Sequence, residues 1–135
     1  MDTTTLTRAA TALAAALLVD LVLFQLALAV GVPWGRASYG GASAHLPTHL
    51  RVASVVSAAF WTLALLVILR RTGHPVWSPL PLEWLPAAVW ALVGLMVVAC
   101  VANAATPSAI ERAIWLPVSG ALLASLVTIQ LSNRA

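Results

Sequence analysis

Four apolar runs divide the chain, at about 9–30, 52–69, 84–102 and 113–131. Each approaches or exceeds the length needed to cross about 30 Å of hydrocarbon. Apart from Asp20, none contains Asp, Glu, Lys or Arg. Glycine and proline clusters separate the runs, so the pattern predicts transmembrane helices over roughly 6–30, 50–71, 84–104 and 109–132. The expected fold is all-α: an up-and-down integral membrane four-helix bundle, one domain over 1–135, with a long irregular loop between helices 1 and 2.

Local signals refine each helix. Thr3, Thr4 and Thr5 offer hydroxyls for the start of helix 1, and Gly31-Val32-Pro33 ends it. Trp34 and Tyr39 in the first loop suit a headgroup zone. Helix 2 begins near Pro47 or Thr48 and stops at Arg70-Arg71-Thr72-Gly73. Pro75, Pro79, Pro81 and Pro86 predict a stiff surface link before helix 3. Ser108 and Glu111 have the spacing of a capping box for helix 4, and Pro117 predicts a kink near its entry. Small residues at every fourth position, Ala12/Ala16/Asp20, Ser54/Ala58/Thr62 and Gly120/Ala124/Thr128, are expected to be packing faces.

Composition changes the class of molecule rather than the elements. With 61% hydrophobic and 8% charged residues, a chain of this length leaves little for a soluble domain. The net charge of +3 comes with seven basic residues, all arginine and scattered over loops and helix ends. They form no stripe for nucleic acid and instead mark membrane boundaries. Arg8, Arg70, Arg71 and Arg134 lie on the side of the termini, against Arg36, Arg51 and Arg112 opposite. That asymmetry predicts cytoplasmic termini in a bacterial plasma membrane. Ala27-Leu28-Ala29 resembles a signal cleavage site, but the preceding run is long and interrupted by Asp20, so a retained helix is expected.

The polar residues carry whatever chemistry there is. Asp20 lies roughly 15 Å below the Val30 end of helix 1, a depth that helix 2 reaches near Trp61 and Thr62. No arginine or histidine occupies that layer, and a bare carboxylate there is strongly disfavoured. Asp20 is expected inside the bundle as a neutral or water-reached acid, with the Trp61 indole N–H as a candidate partner. A shallower layer of Gln25, Ser54, Ser57, Cys100, Asn103 and Ser119 is expected either to line a pocket with Asp20 or to bond between helices. Trp34, Arg36, His45, His49, Glu111 and Arg112 are candidate contacts at the loop face. His45 and His49 straddle Pro47 and lack a third ligand, so no metal is expected. Cys100 stands alone, which excludes an internal disulfide and a cysteine cluster. No cofactor is indicated.

Two resemblances follow. Gly31-Val32-Pro33-Trp34-Gly35, and Asn103…Thr106-Pro107-Ser108…Glu111-Arg112…Trp115…Pro117, are similar to segments of uncharacterised small four-span bacterial membrane proteins. That resemblance implies a compact bundle with both motifs at one face, and no activity. The architecture, four short spans with an acid in helix 1, resembles small multidrug-resistance transporters. Their acid is a glutamate that exchanges protons and cationic drugs between opposed subunits. Here it is the shorter Asp20, and the other motifs of that family are not matched.

Three functions follow in order of expectation. The first is a non-enzymatic membrane protein, a packing partner, subunit or binder of a lipophilic ligand. The second is a proton-coupled transporter, acting as a dimer with Asp20 as the coupling acid. The third is a membrane-embedded enzyme acting on an isoprenoid or lipid. The partners expected are the lipid bilayer and either a second copy or another membrane subunit.

Overall fold

A computed structural model describes residues 1–133; Arg134 lies outside the described residues. The fold is all-helical, with four long helices: α1 (Thr3–Ala29), α2 (Thr48–Arg71), α3 (Leu85–Ala105) and α4 (Ala109–Ser132). By length and composition all four can cross a membrane, which points to a membrane protein. Consecutive helices run in opposite directions. α1 packs chiefly on α2 and α4, α3 packs chiefly on α4, and α2 meets α3 only thinly.

Asp2, rather than a threonine, caps α1. Its carboxylate accepts the Thr5 backbone N–H at 2.7 Å, and an anion there also complements the helix dipole. The Thr7 and Thr11 hydroxyls instead turn back to the Thr3 and Thr7 carbonyls, a bond open to any mid-helix threonine. Ser108 does cap α4, accepting the Glu111 N–H. The reciprocal half of the box is missing, because the Glu111 side chain goes elsewhere. α4 continues helical through Pro117.

The tight core lies in the half of the bundle nearest the termini. Ala10, Ala14 and Leu18 of α1 meet Ala64, Val67 and Ile68 of α2, Val89, Leu92 and Met96 of α3, and Leu122, Leu126 and Ile129 of α4. Gln130, 1% exposed, fastens this end. It accepts from Arg71 Nε and donates to the Pro86 carbonyl at 2.7 Å, joining three helices. Of the three small-residue stripes, the one on α2 turns Ser54 and Ala58 inward. Ala12, Ala16 and Asp20 are all exposed, and Ala124 points out as well. The stripe that packs α1 is Ala10/Ala14/Leu18, two residues out of phase with the expected one.

The opposite half is built around the α1–α2 connection, which carries two 3-10 turns, Gly35–Ala37 and Tyr39–Gly41. Arg51 Nε donates to the Ala29 carbonyl at 2.9 Å and closes the end of α1. Gly35 is obligatory for a steric reason: a Cβ there would run into the Ser43 and Ala44 carbonyl oxygens. Gly41, at φ +72°, sits against the Ser108 side chain, and its left-handed backbone suits glycine.

Candidate ligand-binding site

The first loop folds down onto α4 and α2. Trp115, near the start of α4, donates its indole N–H to the Ala37 carbonyl at 2.8 Å, a buried bond. The Ser108 hydroxyl donates to the Arg36 carbonyl at 2.6 Å. Glu111 accepts the Gly40 N–H at 3.0 Å and the Thr106 hydroxyl. The Tyr39 and Ser54 hydroxyls bond at 3.0 Å. Tyr39 holds φ +48°, an unusual conformation for a residue with a Cβ, and the Ser54 bond keeps its ring over the bundle.

Beneath this roof lies a cavity of about 290 Å³, close to the lower end of the ligand-pocket range. Its wall is largely apolar: Leu21 and Phe24 of α1, Trp61 of α2, Met96 of α3, and Trp115 and Val118 of α4. Polar groups gather at the roofed end. Asn103 Nδ2 donates to the Trp115 carbonyl and to the Ser119 hydroxyl, at 3.2 and 3.3 Å. Gln25 differs, because its Oε1 is buried without a hydrogen-bond partner among the described residues. A buried amide oxygen left unpaired costs about 1–3 kcal/mol, and this one is packed out of contact with the open space of the cavity. Below Trp61, Met96 and Leu122 only about 10 Å³ of void remains, and the cavity ends there.

The structure divides the predicted polar residues into groups. Gln25, Trp61, Asn103 and Glu111 line the cavity. Ser54 is fully buried beside it, held by Tyr39 and the Leu50 carbonyl. Ser57 and Cys100 do not line it. The placement of Asp20 is corrected: it is exposed on the outer face of α1, has no hydrogen bond or ion pair among the described residues, and does not reach Trp61. Successive α-carbons turn by about 100°, so its burial depends on phase as well as depth. With Leu18 inward, Asp20 points away.

Asp20 instead lines a groove of about 690 Å³ on the outside of α1 and α4, with Leu23, Phe24, Trp34, Arg36, Ile110 and Ile114 among its walls. Arg36 Nη1 is occupied by the Gly41 and Ala42 carbonyls. His45 and His49 are exposed and line neither space. Arg112 donates to the Thr106 carbonyl rather than to an acid. Among the described residues no three His, Cys, Asp or Glu side chains gather as for a metal.

Sequence reasoning missed Phe24, Ala37, Ser38 and Met96 as cavity walls. Phe24 and Met96 are apolar residues inside apolar spans, which give no signal of the face they occupy, and Ala37 and Ser38 lie in a loop whose fold onto α4 has no local signal. Trp115 was visible only as part of a motif, whereas Asn103 was expected in the polar layer and does line the cavity. No protein family, curated protein or solved structure matches the chain.

Proposed function

We propose that the protein is a non-enzymatic binder of a small lipophilic ligand bearing a hydroxyl or similar hydrogen-bond donor. It would lie in a bacterial plasma membrane with its termini toward the cytoplasm. The observation that carries this reading is a largely apolar cavity of ligand size, with the Gln25 side chain on its wall and the Gln25 Oε1 buried beside it without a hydrogen-bond partner among the described residues. Pockets of this composition use one or two polar groups to orient a ligand that the apolar walls hold. An enzyme reading lacks its parts, since the exposed His45 and His49 are outside the spaces that hold Gln25 and Asp20.

The test is photolabelling of reconstituted protein with a diazirine-bearing decanol. Saturable labelling of Met96 and Leu122 is expected, displaced by decanol better than by decyl methyl ether. Gln25→Leu should lower alcohol affinity about 2- to 13-fold, the equivalent of one hydrogen bond at about 0.5–1.5 kcal/mol, and leave the ether unaffected. Labelling that never saturates and falls only on outward side chains would reject the reading.

One observation favours the transporter as a second reading. Asp20 lies on the outer face of α1, where a second copy would reach it. Vesicles loaded with pyranine would then report proton flux that Asp20→Asn abolishes. Equal flux with and without the protein would remove it.

A further inference from the structure

The link between α2 and α3 builds a different kind of site at the other end of the molecule. Gly73, at φ +89°, ends α2, with its N–H on the Arg70 carbonyl and the His74 N–H on the Leu69 carbonyl. That pair of bonds turns the chain back on the helix, and Leu80 then packs against the bundle core. An open cleft of about 520 Å³ is left between the last turn of α2 and the link, with Arg70, Pro75, Trp77, Ser78, Pro81 and Leu82 among its walls.

The two arginines that end α2 have different tasks. Arg71 Nε donates to Gln130 Oε1. The Arg70 guanidinium has no hydrogen bond or ion pair among the described residues, and the Trp77 indole N–H is equally unclaimed. Ser78 Oγ accepts the Leu80 N–H at 3.2 Å, which leaves its own hydrogen to give. The cleft thus collects three donors, one of them fully charged, and no carboxylate; Glu83 is not one of its walls.

Its depth selects the occupant. α2 ends at Arg71 and the apolar stretch of α3 begins at Leu82, so the cleft lies at the common boundary of two candidate spans. Trp77, Leu82 and Trp84 are 67%, 60% and 62% exposed there, bare apolar surface that suits the zone where acyl chains meet headgroups. A phosphate at that level meets the Arg70 guanidinium, whose planar fork matches two phosphate oxygens. With no acid on the walls, nothing pairs with the ammonium of a zwitterionic headgroup. The α2 dipole also favours a cation at this end, so charge alone does not define a site; the added donors of Trp77 and Ser78 beside apolar surface do.

We infer that this cleft binds an anionic phospholipid, its phosphate on Arg70, Trp77 and Ser78 and an acyl chain along Trp77 and Leu82. The site shares no residue with the cavity and holds whether or not the cavity takes a ligand.

Native mass spectrometry of the full chain, titrated in micelles with phosphatidylglycerol or phosphatidylcholine of the same acyl chains, tests the assignment. One phosphatidylglycerol should be retained about tenfold more tightly than phosphatidylcholine. Arg70→Gln should remove that preference. Arg70→Lys should keep a weakened one, because the charge stays and the fork goes. Trp77→Phe should reduce it about threefold through the lost donor. Arg8→Gln removes an exposed charge at the same end but outside the cleft, and should leave the preference intact. Equal retention of both lipids would overturn the assignment, as would a preference that survives Arg70→Gln or falls equally in Arg8→Gln. Glycerophosphoglycerol, the headgroup without its chains, should not displace the lipid at equal concentration. Displacement there would make the ligand a soluble phosphate ester and reject the lipid site.

Discussion

At the scale of single residues, the Glu111 carboxylate ties a loop to the first turn of a helix 71 positions away in sequence. It accepts from Gly40 N–H and from the Thr106 hydroxyl, while the Glu111 N–H is capped by Ser108. Hydrogen bonds to an ionised acceptor contribute more than neutral ones, about 1.5–3 kcal/mol. Glu111→Ala should therefore destabilise the protein by roughly that amount, read as unfolding in detergent, with faster hydrogen exchange concentrated at Gly40 and Gly41. Exchange that rises evenly over all four helices would contradict a local latch. Trp115→Phe keeps a ring against Phe24 but removes the donor to the Ala37 carbonyl. Its expected effect is loosening of the first loop at little cost to the distal core.

At the scale of elements, α1 is held at its start by Asp2. The Thr5 backbone N–H, and then the Thr5 hydroxyl, hold the Asp2 carboxyl below its ordinary value of 3.8. A lowered folded-state value means the contribution is complete above the unfolded value and fades as pH falls through the folded one. Acidification below about 3.8 should thus fray the first turn of α1. Asp2→Ala should show that fraying already at neutral pH and lose the acid dependence, as monitored by exchange at Thr4 and Thr5. In the first loop, Gly35→Ala should displace the 3-10 turns through its clash with Ser43 and Ala44. Loss of the Gly35 N–H bond to the Ala44 carbonyl would appear as rapid exchange at Gly35.

The elements themselves were legible because uninterrupted apolar runs and Gly/Pro punctuation are strong one-dimensional signals. Their faces were not. When lipid and core are both apolar, inward and outward positions share a composition, and the usual contrast of an amphipathic helix disappears. Depth along α1 says nothing of rotation, and rotation put Asp20 outside; the same ambiguity shifted the α1 packing stripe by two residues. Serine made α2 easier, since Ser54 is buried where Tyr39 can reach it. The role of Glu111 was hidden for another reason. Its capping spacing gave a sufficient local explanation, while its actual partner lies across the fold.

For the molecule as a whole, the two halves have different jobs. The half near the termini is tightly packed and cross-linked by Gln130. The half under the first loop leaves an open cavity, with an amide oxygen buried beside it that has no partner among the described residues. Gln130→Leu should lower global stability by about 1–3 kcal/mol through the stranded Arg71 Nε, without changing ligand selectivity. Selectivity belongs to the other glutamine. The chain has only Gln25 and Gln130, so protein carrying ¹³C in its glutamine side-chain carbonyls gives two infrared bands, one from a bonded amide and one from an unpaired one. Decanol is predicted to move the Gln25 band to lower frequency and leave the Gln130 band in place, with decyl methyl ether moving neither. A Gln25 band unmoved by saturating decanol, or moved equally by the ether, would contradict the account.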